Sequence, residues 1–402
     1  MKKGRWSLFT LAIVLIAGIY QPLKAQGIVF LHDYEVALEK AKQENKLIFV
    51  DFYTSWCGPC KMLDKEVFSQ EKAGNHFNTN FVNLKIQCDD KGVGVELGKK
   101  YQVVAYPTLM FLNGQGEVVH AAVGGLSADA LIEVSRIAMN PDKNLLSILK
   151  KWENGNRDGD FVKTYFTTLK EAYLREKAST DFLDFFEGLT PAAKSSKATF
   201  ELIKLVGAEP FSALFTYVED HQQEIAVNNG NQEVQEFIAK SYLYYLSGLA
   251  RSGTQGEEYA EALQKFKAKG YPYAAEYEMY CNLFLDVTIE NYIKNCTAFL
   301  DQYGQNSDDY TLSLTSLLGN LTGKPNQSVE GIAWMETLLK RNPDPRYMHV
   351  YFYITWRNHQ LDKALGIGEQ IKADLIRKNQ STRSIDEQLE MVRNIKVKKS
   401  TQ

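Results

Sequence analysis

The sequence predicts an α/β domain, a central mixed sheet flanked by helices, followed by an all-α helical array. Three observations carry that expectation. Up to about residue 139, short apolar and β-branched runs alternate with segments of helical period. From 145 to 402 the period is helical and no strand run stands out. Between the two, Asn140-Pro-Asp-Lys-Asn144 reads as a linker. A chain of 402 residues is also too long for one small domain.

The elements follow in order. Met1-Lys-Lys-Gly-Arg5 is a basic start, Leu8 to Tyr20 an apolar run, and a cut is expected after Ala25, so residues 1–25 read as a signal peptide. The alternative is an uncleaved N-terminal membrane anchor, although the run is short for a span of about 20 residues. The first domain covers 26–140. Gln26 to His32 is a lead-in, read as an edge strand, and Asp33 caps a helix through about Asn45. Leu47-Ile-Phe-Val50 opens a strand over 47–53. Lys61, Met62, Leu63, Glu66, Val67 and Phe68 continue a helix after Cys60. Asn80 to Gln87 alternates as a strand ending near Cys88, and Val93 to Tyr101 is a helix. Leu109 to Leu112 and Glu117 to Val123 are strands joined by the turn Asn113-Gly-Gln-Gly116. Ser127 caps a last helix through about Met139.

The second part, 145–380, is cut by turn signals into roughly ten helices of two to four turns. Its last third hints at a repeat. Phe299-Leu300 and Leu338-Leu339 each precede a polar turn and a helix led by Tyr310 or Tyr347, close to the ~34-residue tetratricopeptide period. Ser381 to Gln402 is charged and reads as a frayed C-terminal tail.

The most specific signal is Trp56-Cys57-Gly58-Pro59-Cys60. A Cys-x-x-Cys pair that follows an apolar strand and opens a helix is built to make and break a disulfide. Cys57 at the helix N-terminus has its thiolate favoured by free N–H groups and the helix dipole, so it is the expected nucleophile. Cys60, one turn further in and expected to be more buried, attacks the mixed disulfide once it forms. A zinc site needs about four ligands; no second Cys-x-x-Cys or spaced His pair lies nearby, and no metal is expected.

The stretch Val50-Asp51-Phe52-Tyr53 through Trp56 to Lys61 resembles thioredoxin. Tyr106-Pro107-Thr108 before Leu109 to Leu112, and Val123-Gly-Gly-Leu-Ser127 before the last helix, extend the likeness over roughly residues 28 to 139. The entry helix Tyr34-Glu-Val-Ala-Leu-Glu-Lys-Ala-Lys is similar to those of bacterial envelope thiol–disulfide interchange proteins. The resemblance implies a thioredoxin fold and no organic cofactor. It makes Asp51 the buried base to Cys60, with a pKa raised by burial. Lys85 falls where the family places a lysine near that Asp, the alternative being a solvated strand lysine. It makes Tyr106-Pro107 cis and puts Trp56, Gly58, Pro59, Tyr106 and Pro107 at the substrate. Gly-Pro between the cysteines points to a reductase. Tyr106 is bulkier than is usual in reducing thioredoxins and matches protein disulfide isomerases, which leaves the direction of electron flow open.

Composition is that of an ordinary globular protein, 45% hydrophobic and 24% charged. Removing the leader takes away four cations and no acids, so the formal charge moves from −3 to −7; nucleic acid is a poor candidate partner. The expected partners are disulfide-bearing proteins, a membrane thiol electron donor, and a peptide or protein on the helical part. The expected compartment is the periplasm or the cell exterior, where disulfides persist. There Cys281 and Cys296, on neighbouring helices, are either a structural disulfide or two buried thiols, and Cys88 reads as a buried apolar filler in preference to a third redox thiol. The expected function is an exported thiol–disulfide oxidoreductase reducing protein disulfides. Its rivals are a helical binding scaffold with a structurally used redox domain, and a disulfide isomerase.

Overall fold

The computed structural model describes residues 27–252, 257–285, 288–322, 326–378 and 380–400; the expected leader and its cut after Ala25 lie outside them. Helix α1 (Tyr34–Glu44) begins where the Asp33 carboxylate accepts from the Val36 N–H and ends at Asn45 in the left-handed conformation. Strand β1 (Leu47–Tyr53) follows. Helix α2 (Gly58–Leu63) opens at Cys57 and runs into a wider π-helical turn over Asp64–Phe68. The remaining elements are α3 (Glu71–Asn80), β2 (Phe81–Gln87), α4 (Val93–Lys100), β3 (Thr108–Leu112), β4 (Val118–Val123) and α5 (Ala128–Met139).

Two local expectations are corrected. Among residues 27–32 there is no edge strand, only a single bridge from Leu31 to Leu84. The helix after Cys60 does not lead straight to the next strand. The Ser69 hydroxyl donates to the Lys65 carbonyl at 2.5 Å and the Gln70 amide donates to the Glu66 carbonyl. These bonds occupy carbonyls that a continuing helix would use, and α3 starts afresh with Ala73, Gly74 and Phe77 turned inward.

The sheet has the order β2-β1-β3-β4, with β1 parallel to β2 and antiparallel to β3, and β3 antiparallel to β4. This is a thioredoxin fold with a mixed four-stranded sheet. Alternation along β1 assigns its faces. Phe49 looks toward α2, α3 and α5, where its ring lies 4.6 Å from Phe77 and 5.3 Å from Phe111. Ile48, Val50 and Phe52 look the other way, onto Ala37 and Ala41 of α1.

That second core does not stop at residues 140–144. Leu145, Ile148 and Trp152 of the helix Leu145–Glu153 join the same cluster as Val50, Met110 and Ala121. The Leu145 N–H donates to Nδ1 of the buried His120 on β4 at 3.2 Å. From there the chain is largely helical. Among the described residues it forms sixteen α-helices from Leu145 to Ser400, where the turn signals had suggested about ten. One extra break uses a polar cap in place of Gly or Pro: Ser196 accepts from Thr199 N–H. In the other direction, Asn231–Arg251 is one helix of 21 residues, longer than any expected.

The last third contains a recurring polar joint. Glu276 accepts from Asn306 and from the Tyr310 hydroxyl, at 2.6 and 2.7 Å. Asp308 accepts likewise from Asn342 and the Tyr347 hydroxyl, at 2.8 and 3.0 Å. The segment expected as a frayed tail is a helix, Arg383–Ser400, whose Ile385, Leu389 and Val392 are buried against the helix Leu361–Arg377. Its apolar stripe at i, i+4 and i+7 lies among charged residues that mask it in the sequence. This helix returns to the first domain. The Arg383 guanidinium donates to the Lys65 carbonyl at 2.5 Å, and Lys65 Nζ pairs with Glu387 at 2.8 Å. No helix among the described residues is long and apolar enough to cross a membrane.

His120 links the two parts in a way that pH can read. Burial lowers its pKa from 6.5 to about 4. Between those values the unfolded chain binds a proton that the folded chain refuses. The His120 contribution is therefore intact above pH 6.5 and is lost as the pH falls toward 4. Denaturant unfolding at pH 7 and pH 5 should show the wild type losing about 1–2 kcal/mol more than His120→Gln does. Parallel losses in the two proteins would refute the assignment.

Candidate active site

Cys57 and Cys60 are joined by a disulfide, with Cα atoms 5.3 Å apart. Cys57 is the N-cap of α2, and its Sγ accepts from the Cys60 N–H at 3.1 Å. Pro59 at the start of the helix has no N–H to leave unsatisfied. In the bridged state both cysteines are almost fully covered, 3% and 2% exposed, so burial does not distinguish them as the sequence reading supposed. The turn ahead of them is pinned from outside: the Ser55 N–H and hydroxyl both donate to Asp89, at 2.9 and 2.5 Å.

Three loops converge here. Trp56, 69% exposed, sets its ring edge-on to Tyr106 at 6.0 Å. The Tyr106–Pro107 peptide is cis, and the Pro107 carbonyl accepts from Gly124 N–H at 2.9 Å. Gly124 has φ +104°, a conformation open to glycine and strained for other residues. A Cβ on Gly125 would stand 3.9 Å from Pro59, and one on Gly58 would meet nothing within 4 Å. A side chain at Gly58 would thus meet open space, and the Gly124-Gly125 bend lies near Pro59.

Where α2 passes into the π-helical turn lies a charged cluster. Register places Asp51 beside Lys85 on adjacent strands. Asp51 is fully buried and neither carboxylate oxygen has a hydrogen-bond partner. Lys85 Nζ stands 3.6 Å from Asp51 Oδ2, too far for a hydrogen bond, and makes its direct contact with Asp64. Burial raises the Asp51 pKa to about 7; Lys85 opposes that rise and Asp64 adds to it. A carboxyl that titrates there can give or take a proton near neutral pH.

Two neighbours escaped the sequence reading. Asp64 lies four residues after Cys60, one helical turn along the same face, and that spacing was the available signal. Cys88, read as a filler, is half-buried with its Sγ directed at the Ile86 carbonyl at 4.0 Å, and burial pushes its pKa up to about 11. Far from the site, Cys281 and Cys296 are separate buried thiols and form no disulfide. Burial raises both to about 12.

The buried carboxyl has a stability consequence. The Asp51 pKa is raised in the folded state, from 3.8 to about 7. The folded chain then holds a proton in that window that the unfolded chain has lost. Stability from this group is present below pH 3.8 and falls as pH rises through 7. Asp51→Asn should therefore raise the unfolding free energy at pH 8 by about 2–4 kcal/mol and change it little at pH 4. Equal effects at both pH values would contradict the buried-carboxyl account.

Comparison with known proteins places this geometry in a family. The thioredoxin family profile matches residues 29–136. Thioredoxin H4 of Arabidopsis thaliana is 35% identical over 96 residues, covering 24% of this chain and 75% of that protein. The thiol:disulfide interchange protein DsbD of Vibrio cholerae is 34% identical over 101 residues, 25% of this chain and 17% of that one. The solution structure of a putative disulphide-isomerase from Bacteroides thetaiotaomicron is 47% identical over 29% of this chain and 97% of its own, with a TM-score of 0.27. With its cysteine pair bridged at the head of α2, the chain belongs to the thioredoxin family and is a thioredoxin-like disulfide oxidoreductase.

Proposed function

We propose that the protein is an exported oxidoreductase that reduces protein disulfides through the Cys57-Gly-Pro-Cys60 dithiol. The observation that carries the reading is the placement of Cys57 Sγ at the cap of α2, accepting the Cys60 N–H, directly after the exposed Trp56, whose ring meets that of Tyr106. In the reduced protein the same N–H stabilises a Cys57 thiolate. That thiolate attacks one sulfur of a substrate disulfide; a mixed disulfide forms and the other substrate sulfur leaves as a thiolate. The Cys60 thiol passes its proton to Asp51. The Cys60 thiolate attacks Cys57 Sγ, the Cys57–Cys60 bond forms, and the second substrate sulfur leaves. Two electrons pass to the substrate and each departing thiolate takes up a proton. Lys85 holds the charge on Asp51. A membrane thiol donor returns the electrons.

Export is supported by the basic and apolar pattern of residues 1–25 and by the similarity to DsbD, a thiol:disulfide interchange protein. The helical part, tetratricopeptide-like in its last third through the recurring Asn–Tyr–acid joint, presents the substrate. A cleft of about 1010 Å³ runs between Pro59 and Met62 of the redox helix, the Gly125-Leu126 bend, and Leu375 and Gln380 of the array. A chain whose disulfide has reached Cys57 can continue along it.

The equilibrium reduction potential against glutathione tests the direction. The expected value lies near that of thioredoxin, about −270 mV. A value near −180 mV, roughly that of protein disulfide isomerase, would support the isomerase reading that Tyr106 favours. The role of the cleft is read separately. Met62→Asp and Gln380→Trp should each raise KM severalfold for a protein disulfide while leaving reduction of a small aromatic disulfide unchanged. If KM stays at the wild-type value, the array does not present substrate.

A further inference from the structure

The cluster at the π-helical turn has one member more than the Asp–Lys pair requires. Lys85 faces two carboxylates that differ in their surroundings. Asp51 is fully buried, and its two oxygens have no hydrogen-bond partner. The Asp64 side chain, on the π-helical turn after α2, is 42% exposed. The ammonium itself is confined. Its side chain is 11% exposed, and it lies over the rings of Tyr53 at 4.6 Å and of Phe30 and Phe68 at 5.8 Å. A confined cation between two carboxylates settles on the one that stays hydrated, because that ion costs less to keep charged. In this structure it does so: the direct contact is to Asp64, and Asp51 is left 3.6 Å away.

We propose that Asp64 is a positioning residue for the resolving step: it draws the Lys85 ammonium outward, so that Asp51 keeps no direct hydrogen bond and remains a base for the Cys60 thiol. The inference rests on the reading of Asp51 as that base. Without Asp64, the ammonium would close on the only carboxylate left to it. A directly paired Asp51 would be a stronger acid and a weaker proton acceptor. The π-helical turn contributes to the arrangement. It spans Asp64–Phe68, and so places Asp64 and the Phe68 ring on the same lysine.

The remaining groups near Asp51 are few. Tyr53 on the same strand and Cys88 after β2 both sense its charge. Burial raises both, and the Tyr53 hydroxyl donates to Gln87 at 3.2 Å. Asp89 and Asp90 act on Tyr53 and Cys88, with Asp89 bonded to Ser55. Cys57 and Cys60 carry no proton while bridged. Lys85 and Asp64 are the charged groups that act on Asp51 itself.

The test is a carbon-13 carboxyl NMR titration of Asp51 in the oxidised full-length protein. It is paired with the pH profile of mixed-disulfide resolution in the reduced protein. Asp64→Asn should move the Asp51 midpoint to lower pH by roughly one unit, and the resolution profile should move with it. Asp64→Glu should restore most of the wild-type midpoint. In a Lys85→Met background the same Asp64→Asn change should move the midpoint less than half as far, because the cation it positions is gone. An unmoved midpoint in Asp64→Asn overturns the proposal. So does an undiminished shift in the Lys85→Met background, which would mean direct charge repulsion, and so does a moved midpoint with an unmoved resolution profile. If Asp64→Asn fails to fold, Asp64→Ala is read in the same way. The oxidised titration needs no turnover. A wild type that reduces no disulfide therefore overturns the functional reading by itself, whatever the midpoint does.

Discussion

The redox site depends on the register of β1. This strand is paired on both sides, to β2 and to β3, and is covered on both faces. Its period of two sends Ile48, Val50 and Phe52 into one core and Phe49 into the other. Asp51 goes with Phe49, under the helix that carries the cysteines. A slip of one residue would put Asp51 against α1 and Val50 under α2. Two large cores resist that slip together, which is how the fold can keep an acid where burial penalises its charge.

The same packing explains how the Asp51 carboxyl comes to titrate near neutral pH. A carboxylate at the surface would be ionised throughout and would be a weak base. A carboxylate buried alone would stay protonated. Asp51 lies between these limits because Lys85 is near it without being bonded to it. Lys85 in turn is held by three rings and by Asp64. The thiol chemistry belongs to the two cysteines, and the protein around them sets proton affinities through distance and burial.

The helical part is more than an appendage on a linker. Its first helix completes the core on the far face of the sheet, and its last helix returns to the redox helix at Lys65. Exposed ion pairs of that kind contribute at most about 1 kcal/mol each. The last helix itself is held mainly by Ile385, Leu389 and Val392, buried against the preceding helix. The consequence for function is geometric. One wall of the cleft beside the disulfide is built by residues more than three hundred positions away in the chain.

Local chemistry was enough to identify the thioredoxin-like domain and its cysteine pair. Capping residues, alternation and a Cys-Gly-Pro-Cys turn act over a few positions, so Asp33, Ser127, β1 to β4 and the head of α2 are legible in the residues themselves. The switch to helical period after 144 is legible for the same reason. The helix break at Ser196 is not legible because serine is common inside helices and at exposed positions as well. The Cys281–Cys296 question stayed open because helix rotation, which one residue can reverse, decides whether two thiols face each other. The apolar stripe of residues 385–392 was hidden by the charges around it until the partner helix covered it. Asp64 could be placed one turn from Cys60 by spacing, but its hold on Lys85 needs β2 to be brought beneath the helix. Sequence settles interactions that close within a turn or along a strand, and folding settles those in which distant segments compete for one charge or cover one face.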